Sequence, residues 1–191
     1  SLVARAAKAE IYENWTDVSG MLMADPRVVK NPLPIKHITY LELRELSYMG
    51  ASVLHEDAVF PARLPDIPIN IRNTNSPEDP GTIISNKDGD DDVMIGSGIA
   101  GKPDFTVISI NKNMMNKEIG FVRRALAVIE EAGVSFDHIP TGIDSLSMFI
   151  ATSELEDKLE YIIEALNMQL RPDGISVENR IGLIAVVGRK M

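Results

Sequence analysis

The sequence predicts a mixed α/β chain whose C-terminal half is an α+β domain with the element order β-α-β-β-α-β. Two observations predict this order. Apolar residues recur at helical spacing in two stretches of residues 99–191, and short runs typical of strands stand before, between and after them. Turn residues separate the runs. This is the split βαβ arrangement, in which two helices cover one face of an antiparallel sheet.

The first half of this domain begins with the predicted strand "FTVISI" (105–110). A helix follows, and we expect it to end at Gly133, because its apolar face repeats every three or four residues up to that glycine. The face consists of Phe121, Val122, Ala125, Leu126, Ile129 and Ala132. The runs "VSFDHI" and "LSMFIAT" predict two strands joined by the turn "PTGIDS".

The second half begins with a helix that the turn "RPDG" ends. Its apolar face consists of Leu155, Leu159, Ile162, Ile163, Leu166 and Leu170. The runs "ISVEN" and "IGLIAVV" predict two further strands, the last of them additional to the six-element order.

Residues 1–65 mix helix, strand and turn signals. Ala4 to Ala9 favours a helix, "EIYENWTDV" favours a strand, and three prolines interrupt the loop "MADPRVVKNPLPI". Thr39 and Glu42 have the spacing of a capping box, and Gly50 stands where a helix-ending glycine is expected. A helix is therefore predicted from Thr39 to Gly50.

Residues 66–98 are predicted to form a linker with strand character. "IPINIRNT" alternates apolar and polar residues, and "NSPEDPGTIIS" turns into a second short apolar run. The acidic stretch at 88–92 lacks the glutamate that closes a calcium loop, so we expect an exposed loop there.

Composition narrows the function classes. The 191 residues include 28 acidic and 19 basic side chains, and the net charge of −9 argues against a nucleic-acid partner or an anionic membrane. The absence of cysteine excludes disulfides and thiolate chemistry, and the three histidines lack metal-ligand spacing. No apolar run approaches the roughly 20 residues that cross a bilayer, and the start lacks the apolar region of a signal peptide. We expect a cytoplasmic protein without a metal site, and a chain that begins inside a longer protein.

Four segments in order carry a resemblance to a known family. They are "EIYENWTDVSGMLMADPRVV", "ITYLELRELSYMGASVLHEDAVFPA", "IPINIRNTNSPEDPGTII" and "GIAGKPDFTVISINKNMMNKEIGFVRRALAVIEEAGVSFDHIPTGIDSLSMFI". With them the chain resembles the C-terminal part of aspartate kinase nearly end to end. The first two resemble the nucleotide segment and the closing helix of the kinase domain, and the third resembles the linker. The fourth resembles the first ACT domain, a ferredoxin-like amino-acid sensor.

The resemblance implies a domain order. Residues 1–65 would end the catalytic domain, 66–98 would be the linker, 99–180 an ACT domain, and 181–191 the first strand of a truncated second ACT domain. The parent would be the monofunctional, lysine-sensitive enzyme that phosphorylates L-aspartate with ATP and Mg²⁺ in lysine, threonine and methionine biosynthesis. The resemblance further implies ACT pairing into a homodimer and feedback inhibition by an amino acid, L-lysine. No tightly bound cofactor is expected in this chain.

The implied effector site lies at a helix start that no side chain is predicted to cap. In "MMNKEIGFV" (114–122) the free backbone N–H groups and the positive end of the helix dipole suit a carboxylate, and Gly120 permits close approach. Asp137 would hold an ammonium group, with Asp144 as a second acceptor. The implied effector-facing positions are Met115, Glu118, Gly120, Phe121, Val122, Phe136, Asp137, Gly142 and Asp144. The residues alone also suit a plain core for the two phenylalanines and a dipole partner for the glutamate.

The resemblance places Thr16 and Asp17 beside the nucleotide and Arg27 near its phosphates. The residues alone favour a turn in which Arg27 pairs with a nearby acid. Ser52 stands where many family members have a lysine near the phosphates. The family's K-F-G-G-[ST] and G-R-G-G-S-D stretches do not occur, so this chain is expected to be inactive as a kinase by itself.

Two alternatives remain open on the sequence. One is a non-catalytic amino-acid-binding regulator with ACT-type domains, and "TDV" followed by "ADPR" argues against it. The other is a fragment of a bifunctional aspartate kinase–homoserine dehydrogenase, against which "HIPTGIDS" favours the monofunctional branch.

Overall fold

The computed structural model describes residues 1–51, 54, 56–87 and 96–188. Ser52, His55, the acidic stretch at 88–92 and the last three residues lie outside the described residues. The chain divides into two compact units: unit 1 is Ser1–Lys102 with Ile184–Met191, and unit 2 is Pro103–Leu183. The domain boundaries implied above stay predictions.

Unit 1 is built on a four-stranded mixed sheet. In chain order its elements are α1 (Leu2–Ala7), β1 (Tyr12–Thr16), β2 (Met21–Leu22), β3 (Pro34–Ile35), β4 (His37–Thr39), α2 (Tyr40–Tyr48), α3 (Glu56–Arg63), β5 (Ile69–Asn73) and β6 (Thr82–Ser85). The strand order is β1-β5-β6-β4, with β1 parallel to β5, β5 antiparallel to β6, and β6 parallel to β4. β2 and β3 form a separate antiparallel pair.

The predicted caps of α2 are confirmed. The amide of Thr39 donates to Glu42 Oε2 at 2.7 Å, and the amide of Glu42 donates back to Thr39 Oγ1 at 3.2 Å. Gly50 follows the helix with φ of 99°, and the amide of Ala51 donates to the Leu46 carbonyl at 2.9 Å. Local chemistry therefore sets both ends of this helix.

The core of unit 1 lies against one face of this sheet. Ile69 and Ile71 of β5 are fully buried with Ile84 of β6, and Leu43 and Leu46 of α2 join the same cluster. β5 and β6, which the sequence analysis assigned to a linker, are the two central strands of the sheet. They are central because their alternating apolar residues have a buried face to fill.

Unit 2 lies within a segment that runs β7 (Gly96–Asn111), α4 (Phe121–Glu131), β8 (Ser145–Ala151), α5 (Leu159–Leu170) and β9 (Gly174–Gly188). β7 enters the unit at Pro103, and β9 leaves it at Leu183. The sheet order is β8-β7-β9, and β7 pairs antiparallel with β8. Alternate residues of β7 and β8 pack under both helices in one core, among them Ile108, Ile110, Leu146, Met148 and Ile150. The mixed α/β class and the antiparallel ACT-like sheet are thus confirmed.

One predicted strand is wrong. "VSFDHI" (134–139) forms no regular strand: His138 makes an isolated bridge to Phe149 of β8, and a second isolated bridge, Thr141 to Leu146, lies in the turn that follows. Pro140 lies between these bridges, and its carbonyl accepts from the Ser147 amide at 3.0 Å. Because proline has no N–H to donate in return, the ladder is interrupted there.

Two boundaries also differ from the prediction. "ISVEN" and "IGLIAVV" are parts of one strand, β9, rather than two. Arg180, which separates the two predicted runs, has φ of 61° but remains within β9, and the preceding Asn179 is held on the sheet by the hydrogen bond that its Oδ1 accepts from Thr106 Oγ1 at 2.9 Å. Leu155 belongs to a short 3-10 turn, Thr152–Leu155, and not to α5. Asp157, whose φ is 60°, lies between that turn and α5 and prevents one continuous helix.

Candidate functional site

The start of α4 is open, as predicted. Its N-cap is Gly120, with φ of 78° and no side-chain hydrogen bond, and the first turn contains no acidic residue. The amide of Phe121 donates to the Glu118 carbonyl at 3.3 Å, whereas the amides of Val122 and Arg123 have no acceptor among the described residues. The helix start therefore combines available donors with the positive end of the dipole.

Asp144 fastens the loop that leads to this helix. Its Oδ1 accepts from the Met114 amide at 2.8 Å, and its carbonyl accepts from the Lys112 amide at 2.9 Å. Met114 has φ of 60°, a conformation that needs such support. Gly142 closes the turn before Asp144 by donating to the Ser145 carbonyl at 2.7 Å. One of the two oxygens of the Asp144 carboxylate is thus already used within the chain.

Asp173 holds the same loop from the other side. Its Oδ2 accepts from the Asn113 amide at 2.6 Å, and its own amide donates to the Asn111 carbonyl at 2.8 Å. Sequence reasoning missed Asp173, which lies in the turn after α5. Nothing in the spacing of residues 113 and 173 indicates that they meet.

Glu118 is also engaged inside the chain. Its carboxylate pairs with Arg124 Nη2 and lies 3.5 Å from Lys112 Nζ. Lys112 Nζ in turn donates to the carbonyls of Leu170 and Arg171, at 3.0 and 2.9 Å, at the end of α5. Sequence reasoning missed Lys112 and Arg124. The six-residue spacing from Glu118 to Arg124 is not one at which side chains meet on a helix, so no pattern signalled the pair.

The apolar members of the predicted set divide between core and surface. Met115 and Phe121 are buried in the core of unit 2, and Val122 is half-buried. Phe136 is exposed, so the plain-core interpretation holds for Phe121 and fails for Phe136. The two buried residues position the loop and the helix, rather than present a surface.

Phe136 and Asp137 lie apart from the other predicted positions. The amide of Asp137 donates to the Phe149 carbonyl at 2.9 Å, four residues along β8 from Ser145, which follows Asp144. Four residues of extended strand span about 13 Å. The structure therefore gathers Met115, Glu118, Gly120, Phe121, Val122, Gly142 and Asp144 near the start of α4, and places Phe136 and Asp137 further along the sheet.

The predicted nucleotide residues lie on the surface of unit 1. Thr16 ends β1, and its carbonyl accepts from the amide of Thr74 at 2.8 Å, while its Oγ1 donates to Asp17 Oδ1 at 3.2 Å. Arg27 forms a fork with Asp25, with Nε 3.0 Å from each oxygen and Nη2 2.7 Å from Oδ2. These hydrogen bonds lower the pKa of Asp25 and raise the pKa of Arg27. The turn with an internal pair is what the residues alone favoured.

Metal binding and membrane crossing find no support among the described residues. The part of the chain that the structure describes contains no group of three or more His, Asp or Glu side chains arranged to hold a metal ion. Within the same residues, no helix has the length and apolar character that a membrane crossing needs. His37 is a structural residue whose Nε2 lies 2.8 Å from Ser85 Oγ.

Comparison with known proteins gives one consistent result. The amino acid kinase family matches residues 1–73. Aspartokinase 3 of Bacillus subtilis is 40% identical over an alignment that covers all of this chain and 42% of that protein. The chain is an aspartokinase homologue. It spans less than half the length of the curated relatives it matches.

Solved structures agree with this homology. The crystal structure of Clostridium acetobutylicum aspartate kinase matches with a TM-score of 0.89 and 51% identity, over 97% of this chain and 43% of that one. Escherichia coli aspartokinase III in complex with lysine and aspartate, in its T-state, matches with a TM-score of 0.75 and 27% identity, over 97% and 41%. The same enzyme with aspartate and ADP, in its R-state, gives 0.74 and 26%, over 97% and 42%.

Proposed function

We propose that this aspartokinase homologue is the end of a kinase domain followed by an ACT-type amino-acid sensor. The parent enzyme would transfer the γ-phosphate of ATP to the side-chain carboxylate of L-aspartate. The homology over the whole chain supports this proposal, and the kinase-family match to residues 1–73 argues against a stand-alone regulator. Because the two catalytic stretches are absent from the sequence, the chain contributes binding and regulation rather than chemistry.

Thr16, Asp17 and Arg27 are the residues of this chain that would hold part of the ATP. A carboxylate can accept ribose hydroxyls, and the planar guanidinium suits phosphate oxygens. Arg27 can bind phosphate only if its guanidinium releases the Asp25 carboxylate, to which it is hydrogen-bonded. Since both side chains are exposed, exchange of that carboxylate for a phosphate costs little desolvation. Mg²⁺, when bound with ATP, would neutralise phosphate charge.

In unit 2 we propose an effector site for an amino acid, with L-lysine as the effector. The observation that carries it is the open start of α4, where backbone donors and the glycine cap suit an α-carboxylate. Lysine bound to Escherichia coli aspartokinase III supports the choice of effector. The second group of predicted positions, Phe136 and Asp137, lies too far along β8 to belong to the same small cluster. This separation favours a site completed by a second copy of the chain, with Asp137 as the ammonium partner.

Calorimetric titration of the chain with L-lysine tests the proposal, with L-threonine and L-methionine in parallel. We expect saturable lysine binding that Asp137→Ala abolishes. Glu131→Ala is the matched control, because it removes an exposed acid at the other end of α4. Sedimentation and circular dichroism establish that each sample is dimeric and folded. Absence of binding to all three amino acids in such a sample would exclude the effector assignment.

A further inference from the structure

Three charged side chains form a mixed cluster at the start of α4. Glu118 lies between Arg124 and Lys112, paired with the first and 3.5 Å from the second. The side chains of Lys112, Arg124 and Glu118 are 21%, 29% and 34% exposed, so the cluster is partly shielded from water. Partial burial makes such an arrangement stronger than an open surface pair.

The position of Arg124 is unfavourable without Glu118. Arg124 lies in the second turn of α4, and its guanidinium folds back over the helix start, where Nη1 donates to the Ile119 carbonyl at 3.2 Å. A Cβ placed on Gly120 would lie 3.7 Å from Arg124 Nη1. A cation at this end of a helix opposes the dipole. The Glu118 carboxylate compensates it.

Glu118 therefore occupies the place that a ligand carboxylate would prefer. Its Oε1 pairs with the Arg124 guanidinium and its Oε2 faces Lys112 Nζ, next to free backbone donors, so it takes up the cationic partners that a bound α-carboxylate would use. The Glu118 side chain can also move away from Arg124. Glu118 follows the short turn Met115–Lys117 in extended conformation and is one-third exposed, while Lys112 keeps its two carbonyl partners at the end of α5.

We propose that Glu118 is an internal competitor of the effector, bound to Arg124 in the free protein and displaced by the α-carboxylate of the amino acid. This inference rests on the proposed effector site and concerns its regulation. Arg124 becomes a carboxylate-binding residue, and Glu118 becomes the residue that sets how much effector is needed. Loss of the Glu118 charge should therefore strengthen effector binding, whereas loss of an acid that binds the effector's ammonium group should weaken it.

Titration of Glu118→Gln with L-lysine tests the proposal. The amide keeps the shape of the side chain and removes the competing charge, so we expect lysine to bind about five- to tenfold more tightly, the scale of a partly shielded ion pair. Glu131→Gln, which removes the same charge from the far end of α4, should leave the affinity unchanged. Arg124→Gln should weaken lysine binding, with thermal melts showing that it stays folded.

L-lysinamide is the matched ligand, because it keeps both ammonium groups and lacks the carboxylate. Its affinity should be the same for the wild type and Glu118→Gln. An equal gain for lysine and lysinamide would overturn the proposal, since the gain would then not depend on the ligand's carboxylate. If the wild type binds lysine and Glu118→Gln binds it no more tightly, the competitor role is wrong and the effector site stands. If neither binds lysine, both proposals fall.

Discussion

The two units differ in how their charged candidate residues are held. In unit 1, Arg27 pairs with Asp25, two residues away, and both are exposed. In unit 2, Lys112, Glu118 and Arg124 come from a loop and a helix, and they tie the helix start to the end of α5. A local exposed pair exchanges easily for a ligand, whereas a shared cluster couples ligand binding to several elements. This contrast fits the proposed nucleotide-binding role of the first region and the proposed regulatory role of the second.

The largest expected difference between the units comes from two glycines. Gly81 has φ of 74°, and an added Cβ would lie 2.0 Å from the Ile71 carbonyl oxygen, whereas Gly133 has φ of 62° and open space around it. We expect Gly81→Ala to cost more than about 3 kcal/mol and Gly133→Ala about 1 kcal/mol, the conformational cost alone. Denaturant unfolding measures both, with the fluorescence of the single tryptophan, Trp15, reporting on unit 1. Equal losses would show that the backbone near Gly81 can yield.

A smaller effect concerns Tyr40, which belongs to unit 1. Burial, followed by the negative charge of Asp66, raises its pKa to about 12 from 10, and its hydroxyl donates to the Ile67 carbonyl at 2.6 Å. Above pH 10 the unfolded phenol ionises first, so stability is complete below pH 10 and falls as the pH rises towards 12. The loss should approach about 2 kcal/mol. Unfolding curves across this range measure it, with the exposed Tyr161→Phe of unit 2 as the control. Tyr40→Phe should remove the dependence, and a slope that persists in this variant would assign it elsewhere.

The smallest effect is expected at Arg27. Arg27→Gln should leave the unfolding midpoint of unit 1 unchanged between pH 5 and 8, because its partner Asp25 remains solvated when unpaired. The same change at Arg124 should lower the midpoint of unit 2, since it leaves Glu118 partly buried beside Lys112 alone. Parallel thermal melts by circular dichroism measure both. A clear loss at Arg27 would remove the contrast between the two regions.

Much of the fold was predictable because its signals are local. The capping box of Thr39 and Glu42, the glycine after α2 and the apolar face of α4 each depend on residues within one turn or one helix. "VSFDHI" shows the limit. Its apolar residues suit a strand, but Pro140 prevents a regular ladder with β8. β9 shows the opposite limit, because the sequence predicts a break at Arg180 whereas the structure continues a single strand through it, next to the contact between Thr106 and Asn179.

The candidate site was predictable only in part. The open start of α4 follows from Gly120 at the N-cap, which has no side chain to cap the helix, and this is visible in the sequence itself. The role of Asp144 was predicted as an acceptor for a ligand, yet its carboxylate supports the backbone at Met114. Asp173 and Lys112 gave no signal, because their partners lie about 60 residues away in sequence.

The sequence by itself determined every helix except α3, most strands, the uncapped glycine at the start of α4 and the kinship with aspartokinases. Each of these depends on neighbouring residues or on short contiguous sequence motifs. Only the tertiary structure decided that Glu118 lies between Arg124 and Lys112, and that Phe136 and Asp137 stand apart from the other predicted positions. Those facts depend on the register of β8 and on where α5 ends, which the packing of a whole unit fixes.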